Sequence, residues 1–430
     1  MSKKIIILGA GLAGLSTAFH IQDEVKIFEK EDQVGGLART DLVNGFIFDY
    51  DGHLLHFKTN YVKQLINKLL PDLLSSHKRN AWIYSHDIYT KYPFQANTFG
   101  LPLQIVKKCI LGMLKASLKT KDNDQQNLYE WMLDRFGKGI TKYFMYPYNY
   151  KFWTVPPQEL IADWTVNYVP QVKIKTVLDG AFTLKTKALG YNSEFWYPQT
   201  GGIDQLAKAF ANQVKNIYTE HETQAIDLEQ KTVKFNNGRT EKFTQLICSL
   251  PMIELKKLIV NKMPEKVKTA FSQLRYISIY NLNLGIDRPR ISDKHWIYYP
   301  EDKFVFFRLG FPMNFSQNVA PANKSSLYAE VSYSENKPLP KKDINKIIQN
   351  DLISAGILTK DDLILVSHAH NIKYAYVVYD HNYRLSMQAL NDFLKANNIF
   401  PVGRFGQWKY MSMEDVIIDG KVIAQEINKL

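Results

Sequence analysis

Two cysteines, Cys109 and Cys248, are all the chain has, too few and too far apart for a disulfide framework. They show no metal or redox spacing and read as buried thiols in a reducing compartment. No apolar run approaches the length of a bilayer span, so no membrane-crossing helix is expected. Met1-Ser2-Lys3-Lys4 runs at once into an apolar strand and leaves no room for a secretory leader, so a cytoplasmic, soluble protein is expected. Repeats and low-complexity tracts are missing, and nothing in the composition points to disorder. Acidic residues are the minority: 42 Asp and Glu against 54 Lys and Arg give a net charge of +12. Such a surface suits nucleic acid, an anionic membrane face or a phosphorylated small molecule. No lysine-arginine block carries interleaved aromatics, which makes nucleic acid the weakest of the three. Ser-His-Asp and Cys-His signatures are absent as well.

Aromatic residues are abundant: 25 Tyr, 24 Phe and 7 Trp supply rings for stacking and for ordinary core packing. At 430 residues the chain is too long for one compact core and should form two or three lobes. The first forty residues are the most informative. Ile5-Ile6-Ile7-Leu8 reads as a buried parallel strand and runs into Gly9-Ala10-Gly11-Leu12-Ala13-Gly14. Gly9 and Gly11 let the backbone turn tightly against a pyrophosphate, and Gly14 lets the next helix pack close to the strand. Glu29 closes a second strand, Val25-Lys26-Ile27-Phe28, where an acid accepts hydrogen bonds from ribose hydroxyls, with Lys30 beside it. A second glycine pair, Gly35-Gly36, followed by Leu37-Ala38-Arg39, resembles FAD enzymes of the amine-oxidase and protoporphyrinogen-oxidase type, which favours FAD over NAD. There a further turn brings backbone and a cation to the same pyrophosphate.

The expected fold class is α/β: a discontinuous Rossmann-like FAD-binding domain with an inserted α-helical lobe and an antiparallel sheet. Residues 1–78, 190–270 and 398–430 are assigned to the FAD domain, 98–189 to the helical lobe, and 79–97 with 271–397 to the antiparallel sheet. Within these, the patterning predicts an amphipathic helix over 60–75, a hairpin over 79–97 and helices over 102–145. A further helix is expected to run from the Gly201-Gly202 loop to about 216. Asn236-Asn237-Gly238-Arg239 predicts a hairpin turn before a buried strand at 246–250, and strands follow from 275 to 333, Val305 to Arg308 among them. A strand near 399 and a helix from about Asp419 to Lys429 close the chain. His368 and His370 share one face of a strand. With no third ligand at suitable spacing they read as structural histidines, and no metal site is expected. The basic amphipathic stretch at 103–111 reads as a packed helix with lysines on its wet face, although contact with a membrane surface is conceivable.

Several ordered blocks now carry a resemblance. Tyr92-Pro93-Phe94-Gln95-Ala96-Asn97, Phe144-Met145-Tyr146-Pro147-Tyr148-Asn149 leading to Trp153, Trp296-Ile297-Tyr298-Tyr299 leading to Arg308, and Gly403-Arg404 through Tyr410 are four of them. With the N-terminal fingerprint they resemble the UDP-galactopyranose mutase family over nearly the whole chain. The resemblance implies an isomerase in which reduced FAD uses its N5 as a nucleophile at the anomeric carbon of a nucleotide sugar, for cell-surface glycan synthesis. NAD(P)H is a candidate external reductant, and an oligomer is conceivable. By the same pattern Arg308 would hold the pyrophosphate, assisted by Tyr298, Tyr376 and Tyr410. Its other reading is an interstrand salt bridge. Tyr92, Phe94, Gln95, Phe144, Tyr148 and Asn149 would form the uridine pocket, Trp153 a wall near the sugar, and Trp296 part of the cleft. Gly52-His53 would lie beside the flavin ring, Asn192 on the sugar side, and Gly403-Arg404 against FAD from the C-terminal side.

Three departures stand out. Tyr168, with Lys173 and Lys175 nearby, occupies the place where the family pattern has a second cleft arginine. Asp51-Gly52 replaces a glycine pair, and the asparagine expected after Tyr410 is replaced within Met411-Ser412-Met413-Glu414-Asp415. These leave FAD binding untouched and make a nucleotide sugar other than UDP-galactose a live alternative. The enzymatic alternative is an FAD oxidoreductase of the protoporphyrinogen-oxidase or amine-oxidase kind. It would have an apolar pocket and no dedicated pyrophosphate arginine, so Arg308 discriminates.

Overall fold

The computed structural model describes residues 3–119, 127–184, 190 and 193–430. A five-stranded parallel sheet runs in the order Ile399–Pro401, Gln245–Cys248, Ile5–Leu8, Val25–Phe28, Ile217–Tyr218. Ile5–Leu8 is central, paired in register with Gln245–Cys248 on one side and Val25–Phe28 on the other. Both its faces are covered, which is why its residues are apolar without alternation. The helix Leu12–His20 follows directly and packs on the C-terminal helix Met413–Lys429, Ser16 Oγ donating to the Ile417 carbonyl at 2.8 Å.

A second, seven-stranded sheet runs in the order Ile364–Val378, Arg275–Ile286, Ser325–Tyr333, Arg308–Gly310, Trp296–Tyr298, Ala81–Ser85, Ile88–Lys91. Its pairings are antiparallel except that Trp296–Tyr298 runs parallel to Ala81–Ser85. In the helical part, Leu103–Ser117 and Leu128–Ile140 cross where a Cβ on Gly137 would lie 2.0 Å from the Gly112 carbonyl oxygen. Only glycine permits that approach. The second helix continues through a π turn, Thr141–Met145, into Tyr146–Trp153, and so delivers Phe144, Tyr148, Phe152 and Trp153 to one surface. Among the described residues no helix is long and apolar enough to cross a membrane.

Several boundaries differ from the sequence expectations. The helix expected over 60–75 stops at Leu69; Leu74–Lys78 is a strand paired with Glu194–Pro198. The helix after Gly202 ends at Ala211 rather than near 216. The turn at 236–239 closes on a short strand, Thr240–Lys242, whereas Gln245–Cys248 joins the parallel sheet. Val305 to Phe307 lie outside a strand, which spans Arg308–Gly310. The last helix starts at Met413, several residues early, because Ser412 and Asp415 form a capping box that a carboxylate three residues in completes as well as Glu does.

Lys151 ties the helical part to the seven-stranded sheet. It is buried, and its Nζ donates to the carbonyls of Tyr299 (3.0 Å) and Glu301 (2.7 Å). Burial lowers its pKa to about 7, partly opposed by the carboxylate of Asp302. The unfolded chain therefore binds more protons at this site between pH 7 and the ordinary lysine range, and this group's contribution makes the fold more stable as pH rises through that window. Above about pH 8.5 the two buried thiols, pushed up to about 12, act in the opposite sense. Denaturant midpoints between pH 7 and 8.5 should therefore rise more steeply in the wild type than in Lys151→Met. Parallel slopes would remove Lys151 as the cause.

Candidate active site

A cleft of about 770 Å³ is lined by both sheets and by the helical part. At one end lie Gly9, Gly11, Leu12, Ala13, Glu29, Lys30, Gly36, Leu37, Ala38 and Arg39. Gly9 has φ +94°, and a Cβ on Gly14 would come 2.0 Å from the Gly9 carbonyl oxygen, so loop and helix share a space that excludes side chains. Glu29 is buried and fixed by backbone: Oε2 accepts the Ala10 N–H (2.7 Å) and Oε1 the Glu31 N–H (3.1 Å). Gly403 takes φ +76° against Ala13, and its N–H donates to Asp419 at 2.7 Å, which sets Arg404 into the cleft.

Three side chains here hold buried polar atoms with no partner among the described residues: Nε of Arg39, Nε and Nη2 of Arg404, and Nδ1 of His53. Buried donors are normally paired, so their convergence on one cleft fits bound groups rich in acceptors: a flavin dinucleotide at Arg39 and His53, and an anion beside it at Arg404, which lies against Tyr376 and Tyr410. Burial lowers the His53 pKa and Arg404 adds to this while Asp51 opposes it, so His53 is neutral at pH 7.

The other end is aromatic. Phe94, Phe144, Tyr148 and Phe152 form a near-parallel series with successive centroid separations of 5.0, 5.3 and 6.2 Å. Residues 144, 148 and 152 recur at i, i+4 and so share one helix face. Tyr298 meets Tyr148 edge-on at 5.4 Å and Tyr92 at 5.1 Å, while Tyr376 stacks on Tyr410 at 5.6 Å. The Arg404 guanidinium carbon lies 4.3 Å from the Tyr376 ring centroid and 4.7 Å from that of Tyr410. Burial pushes the phenols of Tyr92, Tyr148, Tyr376 and Tyr410 up, leaving neutral hydroxyls. Trp153, Trp296, Gln95 and Asn149 also line the cleft. Gln95 Nε2 donates to the Pro170 carbonyl (2.6 Å) and Asn149 Nδ2 to that of Met145 (2.8 Å), so both amides are held by backbone.

Most of the residues singled out in the sequence thus line one cleft. Phe94 is fully buried and supports Phe144 from behind, and Gly14 and Gly403 shape the cradle without lining it. Asn192 lies outside the described residues. Tyr168 lines the cleft, its hydroxyl 3.3 Å from Asp415 Oδ2 and edge-on to Tyr410 at 4.4 Å. The cation beside it is Lys58, whose Nζ pairs with Asp415 at 3.0 Å; Lys173 and Lys175 are not part of the lining.

Arg308 departs most from expectation. It lines the cleft, but its Nε donates to Glu330 Oε2 and its Nη2 to Glu330 Oε1 at 2.5 Å, with Asp51 Oδ1 3.6 Å away. Arg308 and Glu330 are direct partners in the antiparallel ladder, so the interstrand salt bridge is what forms. Burial raises the Glu330 pKa well above the carboxylate range, with Asp51 adding to it against Arg308. Burial would raise Asp51 too, but the hydrogen bond from Glu330 and the charge of Arg308 hold it below its ordinary value. One proton shared by two carboxyls leaves the group Arg308–Asp51–Glu330 close to neutral. Glu330 and the cleft residue Tyr328 were missed. A lone acid inside the apolar run Leu327-Tyr328-Ala329-Glu330-Val331 was the available signal.

Glycine cradle, buried Glu29 and orphaned donors together fit an FAD-dependent enzyme of the dinucleotide-binding α/β class. The family described as flavin containing amine oxidoreductase matches residues 12–428, and the chain belongs to it. The L-amino-acid oxidase of Crotalus adamanteus is 22% identical over 421 residues, covering 86% of this chain and 75% of that protein. A reduced UDP-galactopyranose mutase structure superposes with TM-score 0.93 at 24% identity, covering 99% of this chain and 94% of the other. Cyclohexylamine oxidase from Brevibacterium oxydans gives 0.71 at 13% identity over 100% and 99%. At these identities the solved structures establish the fold.

Proposed function

We propose that this protein is a flavin-dependent mutase acting on a nucleoside-diphosphate sugar in the cytoplasm, of the UDP-galactopyranose mutase type, serving cell-surface glycan synthesis. The observation that carries the reading is the wall beside Arg404: the phenols Tyr92, Tyr148, Tyr298, Tyr376 and Tyr410 line a cleft with a guanidinium that has two unpaired buried N–H groups. Phenol hydroxyls and an uncompensated cation suit a polyhydroxylated anion and disfavour an aliphatic amine. Reduced FAD, when bound, supplies a nucleophilic N5 for the anomeric carbon. The Phe144–Tyr148–Phe152 face offers flat surfaces to a nucleobase, and Trp153 walls the reacting end against water. Arg404, with no carboxylate partner among the described residues, takes the anion-holding role expected of Arg308.

The neutralised Arg308 favours a second reading, an oxidoreductase of the amine-oxidase kind. Anaerobic incubation of the dithionite-reduced protein with UDP-, dTDP- and CDP-hexoses separates the two. A furanose product is expected from one of them. No isomerisation with any, together with flavin bleaching by an amine or amino acid, would overturn the mutase reading.

A further inference from the structure

Three side chains of metal-ligating type from distant parts of the chain meet beside the hairpin that leads to Asp51. Asp41 lies on Thr40–Val43, the first strand of that hairpin, and His368 and His370 project from one face of Ile364–Val378. Asp41 Oδ2 is 2.8 Å from His368 Nε2 and 2.9 Å from His370 Nε2, and the two nitrogens are 3.1 Å apart. We propose that these three atoms bind one divalent first-row transition-metal ion, water completing its shell.

The triangle itself is the first argument. Donors held about 2.0–2.2 Å from a common centre at right angles stand about 2.8–3.1 Å apart, the spacing of one face of an octahedral site. The three separations match that face and are shorter than the edges of a tetrahedron. Proton counting is the second argument. Each Nε2 carries at most one hydrogen. If both donate to Asp41, two N–H groups crowd onto one carboxylate oxygen with their nitrogens 3.1 Å apart; if one is bare, its lone pair faces that of the oxygen at no more than 2.9 Å. A cation at the centre satisfies all three contacts together.

The surroundings fit a built site. His370 is buried, its side chain 4% exposed, while His368 (31%) and Asp41 (24%) leave an open side for metal entry and for water. The His370 ring is stacked 3.8 Å from Tyr50, and Asn283 Nδ2 lies 3.3 Å from His370 Nδ1, a position that a half-turn of the amide gives to Oδ1 instead. With its oxygen toward the ring, that amide accepts Nδ1–H and leaves the Nε2 lone pair free for a metal. Two imidazoles and one carboxylate select an ion such as Fe²⁺, Co²⁺, Ni²⁺ or Zn²⁺ rather than Ca²⁺ or Mg²⁺. The histidine pair was legible as residues i and i+2 of a strand; its third ligand, 327 residues away, is supplied only by the packing of the hairpin on the sheet.

Tag-free holoprotein stripped with a chelator and titrated calorimetrically with Co²⁺ and then with Zn²⁺ tests this. One saturable site per chain is expected, with a high-spin Co²⁺ signal in electron paramagnetic resonance. His368→Ala and Asp41→Asn should each weaken binding by about 100-fold or more while keeping the flavin absorbance that reports a folded protein. No saturable binding in the wild type, or equal stoichiometry and affinity in both variants, would overturn the proposal.

Discussion

Gly14→Ala is expected to yield a chain that purifies without flavin. A Cβ there would lie 2.0 Å from the Gly9 carbonyl oxygen and 3.2 Å from Ile7 Cγ2. The first contact is with backbone, so no side-chain rotation relieves it; the helix Leu12–His20 must move off the strand Ile5–Leu8 or the loop between them must open. Overpacking of this kind costs about 1–3 kcal/mol in the protein alone. The larger effect is expected on the cofactor, because the displaced segment is the glycine loop that lines the cleft beside Glu29. Each ~1.4 kcal/mol of lost contact is tenfold in affinity, so a fall of at least about 100-fold is expected. Gly356→Ala is the control: φ is +69° and the space open, so about 1–2 kcal/mol of backbone strain is added with flavin retained. The ratio of flavin to protein absorbance after gel filtration decides between them. A flavin-replete Gly14→Ala protein would show that the loop and helix do not share this space.

The fingerprint was readable because everything that fixes it is local. Strand, turn, helix and the acid Glu29 lie within about thirty residues, each at a spacing set by backbone geometry. The aromatic wall was readable for a related reason, since positions 144, 148 and 152 belong to one helix face whatever that helix packs on. What could not be read depends on pairings between distant strands. Arg308 meets Glu330 only through the register of Arg308–Gly310 against Ser325–Tyr333, and a one-residue slip would point it to the other face. Asp41 joins His368 and His370 by the same kind of long-range packing. Helix ends were misjudged where the stop signal was a strand beginning, at Leu74, or a carboxylate cap, at Ser412 with Asp415.

Arg308→Ala should destabilise the fold before it says anything about substrate. The change leaves Asp51 and the wholly buried Glu330 facing each other without their cation. Removing one partner of a buried pair costs about 3–5 kcal/mol, whereas replacing the pair by groups of similar shape is often near neutral. Glu330→Gln should cost less, since Arg308 keeps Asp51 and an amide oxygen. Arg308→Met combined with Asp51→Asn, which removes the cation and the anion together and leaves Glu330 protonated, should then recover most of the loss, giving an interaction free energy of about 1–3 kcal/mol in a double-mutant cycle from urea unfolding. A loss below about 1 kcal/mol for Arg308→Ala would mean that water reaches the pair and that it contributes as a surface bridge does. The same double variant separates the two roles of the arginine. A neutral Arg308–Asp51–Glu330 group does not offer net charge to a diphosphate. Its work is to hold the Asp51-Gly52-His53 turn, where a Cβ on Gly52 would lie 2.3 Å from the Tyr328 hydroxyl. Recovery of stability should therefore bring recovery of KM for the proposed nucleotide-sugar substrate to within about 3-fold, with any remaining loss in kcat. A stable double variant that no longer binds the sugar nucleotide would return the anion to Arg308 and take it from Arg404.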